Sequence, residues 1–156
     1  MLGVIFTMNE FQTIDEAMTA GAAHAVDISI QQRIALDYSW DSLQVVEHQL
    51  AELHDAIPKG FLAKLLRKGP TDAEIHMMAM SFGAYIGKVF KRRFGGHWSE
   101  ENSLDPTTKI PALHLANNGG EIWPQLKAEK RLRNGSEDSV WHYAQVLVKK
   151  LKQGAS

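Results

Sequence analysis

The sequence predicts an α+β fold that is mainly helical, with five or six helices around a long central one at about residues 72–93 and a small antiparallel sheet or hairpin at about 97–123. Three observations carry this. Ile75, Met78, Phe82, Ile86, Val89 and Phe90 recur at steps of three, four and one, the period of one apolar helix face. The tetrad Asn117, Asn118, Gly119, Gly120 separates Ala112, Leu113 and Leu115 from Ile122 and Trp123, and asparagine and glycine supply the positive φ angles that hairpin loops need. Helix start and stop signals then bracket the remaining apolar runs.

Residues 1–12 are expected to be a loose arm, with Met8 as an alternative start. From Thr13 or Ile14, the positions Ile14, Ala17, Met18, Gly21, Ala25 and Ile28 describe a first helix, rich in alanine and narrow enough to lie close to a neighbour. Ile34, Leu36 and Tyr38 alternate with Ala35 and Asp37, a short extended connector. Ser39 reads as the cap of a second helix carrying Leu43, Val46, Leu50 and Leu53, with Asp41 in its first turn and Pro58 past its end. Phe61, Leu62, Leu65 and Leu66 predict a short amphipathic helix, broken at Lys68, Gly69 and Pro70.

Thr71 with Glu74 has the form of a capping box, so the central helix starts after Pro70, and Gly95 and Gly96 end it. Beside its apolar face, Ala79, Gly83 and Gly87 form a column almost without side chains. Interior glycine costs about 0.8–1 kcal/mol against alanine, so the column implies close packing against another element or, less commonly, the backbone approach of a ligand. His97 and Trp98 form a third short strand, on which His97 would meet His114 if the two strands pair. Pro124 suits the first position of the next helix, Asn134 and Gly135 its stop, and Ser136 the cap of the last helix, whose one face holds Val140, Ala144, Leu147, Val148 and Leu151. Residues 153–156 are read as a tail.

At 156 residues, 44% hydrophobic and 22% charged, the chain can bury one core and is too short for two comfortable domains, so 1–156 is read as a single domain. With no cysteine, a disulfide framework, a thiolate metal site and a cysteine nucleophile are excluded. The apolar opening MLGVIF lacks a basic flank and a cleavage site, and no run is long enough to span a bilayer, so a cytoplasmic protein without a membrane partner is expected. The formal charge of −1 hides an asymmetry: residues 1–83 carry five Lys or Arg against eleven Asp or Glu, and residues 84–156 carry twelve against seven. Such halves either attract each other within one fold or mark a partner surface.

Three blocks carry a resemblance: IALDYSWDSLQVVEHQL (34–50), SFGAYIGKVFKRRFGGHW (81–98) and IWPQLKAEKRLRNGSEDSVWHY (122–143). Together they resemble a group of small bacterial domains of unknown function that share an LDxS-x-x-SL helix start, a GAYxGxxxxRxxGGxW core and a P-x-x-K-x-x-KRLxNG tail. The resemblance spans most of residues 13–152 and implies a compact α+β domain of bacterial origin, with no particular chemistry. Where that pattern often has an acidic residue after the second glycine of GAYxG, this chain has Lys88.

Motifs for chemistry are sparse. The seven histidines include no HExxH, and the chain has no EF-hand loop, so no metal is expected; His48 and Glu52, with His54 and Glu47 nearby, read first as a solvated helix surface. No GxSxG elbow or phosphate loop occurs, and no cofactor is implied. Two basic groups, Lys88, Lys91, Arg92, Arg93 and Lys127, Lys130, Arg131, Arg133, lie near helix ends, where cations offset the dipole, and near aromatics, where they suit single-stranded nucleic acid. The leading expectation is a non-catalytic protein-interaction or regulatory module with a protein partner, toxin neutralisation being one form. Nucleic-acid binding through the basic half stands second, and a small-molecule site or enzyme near the GAYIG helix third. The candidate binding residues are Gly83, Tyr85, Gly87, Arg92, Trp98, Lys130 and Arg131.

Overall fold

Thr13 and Thr71 each accept, on the side-chain oxygen, a backbone N–H three residues on, and the helices they start form the middle of the molecule. The computed structural model describes residues 11, 13–59, 69–101 and 110–154. The helix expected around Phe61, Leu62, Leu65 and Leu66 lies outside these residues, as does the N-terminal arm except Phe11 and the final pair 155–156. The architecture is the expected one: α1 (Ile14–Gln31), α2 (Ser42–Ala56), α3 (Asp72–Phe94), strands β1 (Gly96–Ser99), β2 (Ala112–Leu115) and β3 (Gly120–Ile122), then α4 (Pro124–Asn134) and α5 (Val140–Gly154). The sheet is antiparallel in the order β1-β2-β3.

At the start of α3 the capping box is complete, Thr71 and Glu74 each accepting the other's backbone N–H. Residues 81–87 of α3 are all buried, so this stretch is enclosed on every side and not along one apolar face alone. The buried residues of the five helices and the sheet form one core around it, from Ala17 on α1 and Leu43 on α2 to Leu113 on β2, Leu132 on α4 and Val140 on α5. On one side α1 comes so near that a Cβ on Gly21 would stand 3.0 Å from Ala84 Cβ.

The glycine column faces α4 and β1. A Cβ on Gly83 would overlap Gln125 Cα and lie 2.7 Å from its backbone nitrogen; one on Gly87 would overlap the six-membered ring of Trp98 and stand 3.4 Å from Pro124 Cγ. The column is therefore a packing surface, and the return for two helix-weakening glycines is the approach of the α4 backbone and of a buried tryptophan.

Several sequence expectations shift. The 34–38 connector contains no strand, because Arg33 and Tyr38 both adopt left-handed φ angles of 61° and 62°. Ser39 does accept the Ser42 N–H on its hydroxyl at 3.2 Å, although the regular helix begins two residues later than its place as a cap implies. Ser136 lies in a 3-10 turn, Ser136–Asp138, and the cap of α5 is Ser139, whose hydroxyl accepts the His142 N–H at 3.2 Å. The last helix also runs to Gly154, into the expected tail. In the hairpin, Asn117, Asn118 and Gly120 take the positive φ angles that their residue types favour.

Candidate functional site

Lys88, Lys91 and Arg92 stand at i, i+3 and i+4 on α3, so all three side chains leave the helix on one side. They border a cleft of about 340 Å³ between α3 and the first half of α1. Asp15 and Thr19, one turn apart on α1, face them, and Met18, Ala84 and Trp98 supply the apolar part of the lining.

Each cation has a long or indirect tether. Lys88 Nζ lies 4.4 Å from the centre of the Tyr38 ring. Lys91 Nζ is 3.6 Å from Asp15 Oδ1, an ion pair with both side chains exposed to solvent, and exposed pairs contribute about 0–1 kcal/mol. Arg92 Nη1 donates to the Tyr38 carbonyl at 3.4 Å. Three positive charges thus meet one facing carboxylate among the lining residues, and none of the three is locked into a short bidentate pair there.

Tyr38 owes its position to Tyr85. The Tyr85 hydroxyl accepts the Tyr38 N–H at 2.8 Å and lies 2.7 Å from Ser42 Oγ. Ser42 Oγ in turn donates to the Ser39 carbonyl at 2.6 Å. With the serine proton committed to that carbonyl, the tyrosine proton points at Ser42, and the relay Tyr38 N–H, Tyr85 O–H, Ser42 O–H, Ser39 C=O is satisfied throughout. The two tyrosine rings stack with centroids 4.8 Å apart. Burial pushes the Tyr85 hydroxyl above its ordinary pKa of 10.0, offset in part by the Ser42 and Tyr38 hydrogen bonds.

The seven residues singled out from the sequence are therefore distributed. Arg92 and Trp98 line the cleft. Tyr85 is buried behind it and hydrogen-bonded to Tyr38, while Gly83 and Gly87 are covered by Gln125 and Trp98. Lys130 and Arg131 belong to α4, away from the lining; Lys130 is exposed, and Arg131 is buried with its Nε donating to Glu47 Oε1 at 2.7 Å. The other oxygen of Glu47 accepts the Val140 N–H at 2.8 Å, so this carboxylate ties α2 to α4 and to the start of α5. Lys88 and Lys91 belong with Arg92 by their i, i+3, i+4 spacing alone, whereas Asp15 and Thr19 give no local signal in the sequence.

The histidine-rich face of α2 is dispersed. His48 pairs with Glu52 at 3.3 Å in the open, His54 Nδ1 is 2.6 Å from the Leu132 carbonyl, and Glu47 belongs to Arg131. Among the described residues no helix is long and apolar enough to cross a membrane. Comparison with protein-family models, curated proteins and solved structures found no match for the chain.

Proposed function

We propose that the chain is a protein-interaction module whose recognition surface is the cleft between α1 and α3, and that it receives an acidic segment of a protein partner. The observation that carries this reading is the convergence of Lys88, Lys91 and Arg92 on a cleft with a single opposing carboxylate among its described lining residues. An incoming carboxylate would replace a cation–π contact, a long exposed ion pair and a long hydrogen bond by short charge-assisted ones. Thr19 adds a hydroxyl, and the apolar floor excludes water beneath the pair, which strengthens it.

The aromatic residues near these cations favour a protein over a nucleic acid. Base stacking needs an open ring face. Trp98 is buried with its ring lodged against Gly87, Phe94 packs edge-on to Trp40 at 5.6 Å, and Arg93 covers the Trp40 ring at 4.5 Å.

The test is fluorescence anisotropy with a labelled hexaglutamate peptide and, separately, with single-stranded DNA and RNA of matched charge. Peptide binding that weakens with salt and is abolished in Lys88→Glu/Arg92→Glu supports the reading. Tighter binding of the oligonucleotides, or no peptide binding at low ionic strength, overturns it.

A further inference from the structure

We propose that His97 and His114 form a surface site for a late first-row divalent metal ion, zinc, nickel or copper, with the Glu121 carboxylate supporting His114 from behind. The argument begins with strand alternation. Trp98 on β1, Leu113 on β2 and Ile122 on β3 are buried, so their neighbours His97, His114 and Glu121 occupy the opposite face of the sheet. The register then sets them in one row, His97 opposite His114 and His114 opposite Glu121. The two imidazoles lie parallel, 6° apart in plane, with centroids separated by 5.2 Å. His114 Nε2 is 4.0 Å from Glu121 Oε1.

Directly opposed residues on antiparallel strands have Cβ atoms about 4.5–5.5 Å apart, and two imidazole nitrogens at about 2.0–2.1 Å from one ion can be reached from that spacing by side-chain rotation. His97 is exposed and His114 half-buried, and neither ring belongs to the packed core. As the side chains stand, no group of three or more His, Asp or Glu among the described residues is arranged to hold an ion, and the inferred site accordingly has two protein ligands with water completing the shell. Imidazole selects zinc, nickel and copper over calcium and magnesium, which take oxygen ligands. Glu121, 4.0 Å from Nε2, stands a small side-chain adjustment away from the outer role that a carboxylate commonly plays for a metal-bound histidine, in which it would hold the proton on Nε2 and leave Nδ1 as the donor. An ion shared by β1 and β2 also clamps the two strands on either side of residues 102–109, so binding is coupled to the stability of the sheet.

Isothermal titration of the tag-free chain with zinc, nickel and copper chlorides tests the site, with thermal unfolding followed in parallel. The expected result is one saturable ion per chain and a rise in Tm with metal. His97→Asn and His114→Asn should each abolish that binding. Glu121→Gln should weaken it about tenfold, and His48→Ala, which removes the separate pair with Glu52, should leave it intact. Because substitution within a short sheet can disturb folding, nuclear magnetic resonance on the unsubstituted chain supplies an independent readout: substoichiometric copper should broaden resonances of 97, 114 and 121 first. Absence of saturable binding, binding that survives His97→Asn/His114→Asn, or copper broadening centred elsewhere overturns the proposal.

Discussion

Gly83 and Gly87 differ in what would have to move if either gained a methyl group. At Gly87 the obstacle is the Trp98 ring, a side chain that can tilt; at Gly83 it is the backbone of Gln125 at the start of α4. Alanine recovers about 1 kcal/mol of helix propensity at both sites, but overpacking exceeds this, so Gly87→Ala should cost about 1–2 kcal/mol net and Gly83→Ala about 3, read from the midpoints of urea unfolding. A control is Gly120→Ala, where nothing stands within 4 Å but φ is 86°, so that its cost, about 1 kcal/mol, is conformational alone. The glycine column was readable because its meaning is local to one helix. Tyr85 was not, since its partners, the Tyr38 amide and the Ser42 hydroxyl, lie more than forty residues away in sequence and only the folded connector brings them to it. Tyr85→Phe leaves the Tyr38 amide unpaired and should cost about 1–3 kcal/mol.

Among the elements, those set by neighbouring residues were legible and those set by distant ones were not. The Thr71–Glu74 box, Pro124 at the first position of α4 and Gly135 after Asn134, with φ of 99°, mark boundaries where the sequence placed them. Ile34, Leu36 and Tyr38 alternate as a strand would, yet among the described residues no strand pairs with them, and Tyr85 claims the Tyr38 amide. Two serines three residues apart, Ser136 and Ser139, both satisfy the local rule for a cap; the 3-10 turn between them decides for the second. In the basic group on α4, the burial of Arg131 is equally non-local, because Glu47 on α2 is its partner. Arg131→Met leaves Glu47 half-buried with one oxygen still on Val140 and should destabilise by about 2–3 kcal/mol, less than the loss of one partner from a fully buried pair. Arg131→Met/Glu47→Gln should be additive only in part, and the coupling energy from that cycle measures the tie between α2 and α4.

For the molecule as a whole, the opposition of an acidic first half and a basic second half is partly spent inside the fold. Asp15 with Lys91, Glu47 with Arg131 and Asp72 with Arg133 all join residues before position 84 to residues after it. Of the other cations on α3, Arg93 covers the Trp40 ring while Lys88 and Arg92 face the cleft, which the charge count by itself could not locate because the cleft needs α1 folded against it. All three tyrosines of the chain, Tyr38, Tyr85 and Tyr143, are held above their ordinary pKa of 10.0, in each case chiefly by burial. The folded state therefore favours the neutral phenols, a contribution complete below pH 10.0 and lost as pH rises from there through the folded values. Alkaline titration should show tyrosinate absorbance appearing together with the loss of helical circular dichroism, and later than in the Tyr85→Phe chain, which is less stable.

The enclosure of residues 81–87 bears on the order in which the protein can be made. One flank of that stretch is covered by α1, synthesised before it, and the other by Trp98 and Gln125, which leave the ribosome only afterwards. A chain ending at residue 101 has Trp98 to cover Gly87 but no α4 to cover Gly83, so native structure should be acquired late in translation, once Gln125 has emerged.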